Sequence, residues 1–290
     1  MKLTLSTINH DQRGFGELVQ LWQKLEYCSF EEIIIDMGSV NWFDADMCAT
    51  FGAILQRLNE NMNTVKLINI PKRIENVLSK NGFLSHHGGE KIPDFFGTTI
   101  PYKRFNANDD RYFAEYIENE LLQRHEIPVM SMALMKKFSE SIFEIFSNAV
   151  LHSQTKLGIF SCGQFFPKRH RLDFSISDLG VGMRQNIKDK MGFDFSPEDA
   201  IKWANEGRNT TKRGPVPGGL GLKILREFID MNGGYIQIVS DSGYWRRESG
   251  KTSTASLLHP FPGTIVSIEI NTNDSNSYRL SSEDDDFDIF

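Results

Sequence analysis

Glu144-Ile-Phe-Ser-Asn148-Ala-Val-Leu-His152 is the stretch on which the fold turns. Around it Met135, Phe138, Ile142, Ile145, Phe146 and Ala149 recur at helical spacing, which predicts a helix over 130–152 with one apolar face. Glu144, Asn148 and His152 follow at i, i+4 and i+8, so they share one side of that helix. A carboxylate placed there can orient a water or accept a hydroxyl proton. An asparagine carbonyl is a hard oxygen ligand suited to magnesium, an ion that keeps waters and favours phosphate partners. Taken alone, the triplet also fits a solvated polar face with one buried histidine at the helix end.

Moving toward the C-terminus, Leu172-Asp-Phe-Ser-Ile-Ser predicts a strand over 171–177 that ends in Asp178-Leu-Gly180-Val-Gly182. Glycines at a strand end let the backbone approach a ligand closely. A buried aspartate there can accept from an exocyclic amino group such as that of adenine; the same residues also suit an ordinary Asp-Gly turn. Gly218-Gly219-Leu220-Gly221-Leu222 then leads into the amphipathic run Leu222, Ile224, Leu225, Phe228 and Ile229. Glycines opening a helix expose backbone N–H groups and the positive end of its dipole to phosphates. The polar segment before them holds Lys212 and Arg213, cations able to reach a terminal phosphate from a lid over 183–218. No Gly-x-x-x-x-Gly-Lys-Ser/Thr is present, which excludes a P-loop. Further helices are predicted at 110–126, 197–206 and 219–231, and strands at 156–161, 234–240 and 263–270.

Toward the N-terminus, residues 32–36 (Glu-Ile-Ile-Ile-Asp) read as a buried strand. A helix is predicted over 44–59, a second strand over 64–70, and another helix from Pro71 to a stop at Asn81-Gly82. Residues 86–110 read as irregular, and a boundary is expected near 105. The expected division is 1–105, 106–272 and an acidic, mobile tail at 273–290. Together the elements predict an α/β protein: an N-terminal sheet with packed helices, then a two-layer α/β sandwich with a mixed sheet under helices.

The 290 residues carry a net charge of only -6, which gives no reason to expect nucleic-acid binding. Three scattered cysteines show neither a disulfide framework nor zinc spacing, so a reducing cytoplasmic setting is expected. Met1-Lys-Leu-Thr-Leu-Ser lacks the pattern of a signal peptide, and no apolar run reaches membrane-spanning length.

Glu144-x-x-x-Asn148, Asp178-x-Gly180-x-Gly182, Gly219-x-Gly221 and Gly263-Thr264 resemble, in order and spacing, the four sequence boxes of the GHKL ATPase superfamily over about 110–270. Within that group, which includes gyrase, MutL and the histidine kinases, Glu144 to His152 looks most like the anti-sigma factor serine kinases. The resemblance implies ATP and Mg2+ as cofactors, with Asn148 holding the metal and Glu144 as catalytic base. It further implies that Asp178 binds adenine and Thr264 backs it. Gly180, Gly182, Gly219 and Gly221 would shape the pocket and lid, with His152, Lys212, Arg213, Gly218, Leu220 and Leu222 completing the nucleotide-binding set.

The run Ile33 to Asp46 with its following helix resembles the STAS domain of anti-sigma factor antagonists over about 1–100. The family's phosphorylated serine corresponds here to Asp46, which a serine kinase cannot phosphorylate. That aspartate reads either as a partial phosphoserine mimic or as a plain carboxylate near a helix start. The resemblances imply a regulator that phosphorylates a separate STAS-like or other regulatory protein, a nucleotide-gated binding module with little turnover, or a conformational ATPase. A homodimer is compatible with each.

Overall fold

A computed structural model describes residues 1–206 and 220–283, without the side chains of 220 and 221. The chain is α/β, built on two sheets. In the first, β1 (Lys2–Thr4), β2 (Glu32–Asp36) and β3 (Thr64–Ile68) run parallel in that order. Three helices connect or flank them: α1 (Gln12–Leu25), α2 (Cys48–Glu60) and α3 (Lys72–Lys80). Ile33 and Ile35 of β2 point into the core they share with α1 and α2, both at 0 % exposure. The strand and helix positions expected for 32–80 fall close to these elements, although α2 begins only after a 3-10 turn over Ala45–Met47.

The second sheet has the order β4 (Thr99–Phe105), β5 (Ile159–Phe166), β6 (Arg171–Asp178), β8 (Lys251–Asn271), β7 (Tyr235–Glu248). Every pairing in it is antiparallel, so the mixed sheet expected from the sequence is corrected. The physical reason lies in the connections: short turns join β5 to β6 and β7 to β8, and short turns join antiparallel strands only. The sheet also recruits 99–105, ahead of the boundary expected near 105 and within the stretch read as irregular. Helices α4 (Asp110–Ile117), α5 (Met132–His152), α6 (Gly182–Met191), α7 (Pro197–Asn205) and α8 (Leu220–Asn232) complete this half. Ser131 caps α5 by accepting from Leu134 N–H at 3.1 Å, and Ser196 caps α7 ahead of Pro197 at its first turn. Residues 183–191, expected as part of the lid, are helical. Tyr278, in the expected tail, packs edge-on against Phe228 with ring centres 5.2 Å apart.

Both faces of the five-stranded sheet are covered. On one, Phe174 and Ile176 of β6 and Val266 and Ile268 of β8 meet α5 and α8. The other face receives the N-terminal unit. There Phe160, Cys162, Val239 and Ile265 join the same apolar core as Phe51, Ile54 and Leu58 of α2. This second face is also polar: Asp173, Ser175 and Ser177 of β6 and Ser267 of β8 are each 0 % exposed. Hydrogen bonds cross the seam, from Ala45 N–H to Gln164 Oε1 at 2.7 Å and from Ser175 Oγ to Asp46 Oδ2 at 2.6 Å. Asp46 is itself wholly buried there, so it is not displayed on the surface. Among the described residues, no helix is long and apolar enough to cross a membrane.

Candidate functional site

The cleft lies on the helical face of the sheet. Its floor comes from Ile176 and Asp178 of β6, Ile236 and Ile238 of β7, and Thr264 and Val266 of β8. One wall is α5, which contributes Glu144, Ile145, Asn148 and His152, and beside it α8 brings Leu222 and Leu225. Met183 and Asn186 of α6 and Trp203 of α7 form the opposite side. The cavity volume is about 140 Å³, and the cleft is open to solvent at its mouth. Ile176, Asp178, Thr264 and Val266 face this cleft because side chains alternate across a strand, which turns Ser175, Ser177, Ile265 and Ser267 to the seam.

Of the residues singled out from sequence, Glu144, Asn148, His152, Asp178, Gly182, Leu222 and Thr264 all line this one cavity. Glu144, Asn148 and His152 come from successive turns of α5 and are each half-buried. Gly180 lies one step outside, in the turn after β6. Leu220 and Gly221 open α8 through their backbone. Lys212, Arg213, Gly218 and Gly219 lie outside the described residues.

Asp178 is a strongly perturbed group at the floor of the cleft. It is 3 % exposed, and burial pushes its carboxyl up to about 7, against the pull of N–H groups from Gly180 and Thr264. Gly180 N–H donates to Asp178 Oδ1 at 2.8 Å. A side chain at Gly180 is impossible without movement, since its Cβ would sit 2.0 Å from the Ser153 carbonyl oxygen. Gly182 opens α6 at φ +74, a left-handed backbone that favours glycine. At the mouth, Lys190 Nζ donates to His152 Nδ1 at 2.8 Å, tying α6 to the end of α5.

Two residues that sequence reasoning missed hold this geometry. Ser153 accepts from Val181 N–H at 2.8 Å through its carbonyl, so the end of α5 is bonded to the turn carrying Gly180 and Gly182. Its place directly after His152, at the helix end, was the available signal. Ser240 accepts from Met183 N–H at 2.8 Å and donates to the Gly263 carbonyl at 2.9 Å, joining α6 to both strands of the hairpin. Nothing local marks Ser240 in the sequence.

Chemically, the cleft pairs an apolar slot ending in a buried acceptor with a half-buried carboxylate and amide on one helix wall. Comparison with protein-family models returns no match, and comparison with the curated proteins returns none either.

Proposed function

We propose that the cleft binds an adenine nucleotide as its magnesium complex. We further propose that the chain is a GHKL-type cytoplasmic regulator that phosphorylates a serine or threonine on a separate STAS-like protein. The observation that carries this reading is Asp178, a carboxylate buried at the floor of an apolar slot that also holds Glu144 and Asn148. A buried acceptor is costly until a donor meets it. The exocyclic amino group of adenine is such a donor, and the slot between Ile176, Ile238 and Leu225 suits a flat ring.

The donor set fits the cation as well. Asn148 offers a neutral oxygen ligand at the wall of the cleft, and magnesium takes few protein ligands when phosphates and waters supply the rest. When bound, the ion neutralises phosphate charge. Glu144, one turn earlier on the same face, accepts the proton of the attacking hydroxyl. Lys212 and Arg213 belong to this reading as the cations of the lid. Three parallel strands alternating with helices support a STAS-like assignment of the N-terminal unit. Burial of Asp46 in the seam supports a substrate on another chain.

A second reading, nucleotide-gated binding with little turnover, is favoured by β6 and β8. These two strands carry cleft residues on one face and seam residues on the other, so a nucleotide that shifts them acts on the N-terminal unit too. Labelled ATP incubated with and without a STAS-like protein separates the two: transfer marks the kinase, and binding without transfer marks the gated module. Glu144→Ala abolishes transfer and leaves ATP bound. Asn148→Ala weakens Mg-ATP at least about tenfold. No saturable binding of millimolar ATP by folded protein would overturn both readings.

A further inference from the structure

Four carboxylates converge where the N-terminal unit meets β6 and β8: Asp44, Asp46, Asp173 and Glu269. Against them stand one guanidinium, Arg171, and one imidazole, His10. Arg171 reaches Asp44 at 3.1 Å, Asp173 at 3.2 Å and Glu269 at 3.1 Å. Asp44 is well satisfied, since its Oδ2 accepts from His10 N–H at 2.7 Å and its Oδ1 accepts from Trp42 Nε1 at 2.5 Å. Asp46 Oδ2 accepts from Ser175 and lies 2.7 Å from His10 Nδ1. The remainder is not satisfied. Among the described residues, Asp46 Oδ1 and both oxygens of Asp173 make no hydrogen bond, and Asp173 meets Arg171 and His10 only as charges, although Asp46 and Asp173 are 0 % exposed.

The charges do not balance either. Four carboxylates face two basic groups, and of these six side chains His10, Asp46 and Asp173 are 0 % exposed while Arg171 and Glu269 keep 16 %. Uncompensated buried charge is strongly unfavourable. One donor atom each from His10, Asp46 and Asp173 lies within 4.8 Å of the other two. The three come from the loop before α1, the 3-10 turn before α2, and β6. We propose that His10, Asp46 and Asp173 form a structural site for one divalent transition-metal ion, clasped between the N-terminal unit and the five-stranded sheet.

One imidazole and two carboxylates form a donor set that suits Mn2+ or Zn2+. The hydroxyls of Ser175 and Ser267, both within reach of Asp46, stand beside it. Ligand bonds of about 2.0–2.2 Å put opposite donors at most about 4.4 Å apart. Neighbouring donors on such an ion stand about 2.8–3.6 Å apart, and His10 Nδ1 lies 2.7 Å from Asp46 Oδ2 and 3.7 Å from Asp173 Oδ2, so side-chain shifts of less than about 1 Å admit an ion. A divalent ion adds positive charge to a cluster in which carboxylates outnumber basic groups. Because the ligands come from both units, the ion is taken up as the units come together and holds them together. The site lies on the face opposite the cleft and requires no nucleotide.

The test uses the full chain, stripped with a chelator and titrated with Mn2+ or Zn2+ in the absence of nucleotide. The expected result is uptake of one ion per chain, a rise of several degrees in melting temperature, and nitrogen hyperfine coupling in the Mn2+ paramagnetic resonance spectrum from His10. Asp173→Asn and His10→Gln lower the affinity at least tenfold, whereas Asn148→Ala in the cleft leaves it unchanged. Three results each overturn the site: no stoichiometric uptake even after refolding with the metal, bound Mn2+ without nitrogen coupling, or unchanged affinity in Asp173→Asn. The spectrum of the unaltered protein decides the question if the variants do not fold.

Discussion

Asp178 and Asp173 lie on one strand, five residues apart, and face opposite ways. Asp178 looks into the cleft, where backbone N–H groups hold it and no ion pair is formed among the described residues, so its partner is a donor from solution. Asp173 looks into the seam, where Arg171 is 3.2 Å away and His10 3.7 Å, so its partners are already inside the fold. One residue type on one strand thus serves two ends. The cleft keeps a buried acceptor at its floor where a ligand can meet it, and the seam uses polar groups to join two units. Substitutions in the seam are therefore expected to change stability, and those in the cleft to change binding.

Arg171→Ala gives the largest stability effect. It removes the one guanidinium shared by Asp44, Asp173 and Glu269, and breaking such a buried set costs about 3–5 kcal/mol. Urea denaturation measures the loss, and a value under about 1 kcal/mol would break the contrast between the two faces. Asp178→Asn acts the other way. Loss of the buried charged acceptor lowers nucleotide affinity by about 1.5–3 kcal/mol, read by calorimetry, without destabilising the unliganded fold at alkaline pH.

The pH dependence sharpens this further. The carboxyl of Asp178 is raised from 3.8 to about 7 in the folded chain, so the folded state holds that proton more tightly than the unfolded state does. Its contribution to stability is complete below the unfolded value and is lost as pH rises through about 7. Melting curves of the parent and Asp178→Asn in the absence of nucleotide should diverge in favour of the asparagine variant as pH rises toward 7, then run parallel above it. A gap that stays constant with pH would remove Asp178 as the responsible group. Nucleotide affinity in the parent follows the opposite course, strengthening as the carboxylate ionises.

Smaller effects mark the edges of the cleft. Gly182→Ala forces a side chain into a left-handed backbone and costs about 1–2 kcal/mol in thermal or chemical unfolding. Lys190→Ala breaks only an exposed contact to His152, and its effect on stability stays below about 0.5 kcal/mol.

The cleft was legible where its residues are near neighbours in the chain. Glu144, Asn148 and His152 declare themselves by spacing, and Asp178 by the glycine turn that follows a strand pattern. Elements whose local preferences oppose their final state stayed hidden. β4 contains Pro101 and the exposed Lys103 and Arg104, and it forms a strand because it is an edge that proline tolerates. α1 contains Gly14 and Gly16, which lower its helical propensity, yet burial of Phe15, Leu18, Val19 and Leu25 holds it. Ser240 matters only because Met183 and Gly263 arrive beside it from elsewhere in the chain.

Periodicity alone settled which side chains share a face, because a helix repeats every 3.6 residues and a strand every two, whatever surrounds them. Thus the α5 triplet and the alternation Leu172, Phe174, Ile176 against Asp173, Ser175, Ser177 were already present in the order of residues. Alternation of that kind ordinarily marks one face as wet. Only the tertiary structure decided that the polar face is dry, because its cover comes from far along the chain: the bond from Ser175 to Asp46 spans 129 residues. The polarity of a face is local chemistry, but its contact with water depends on which distant surface packs against it.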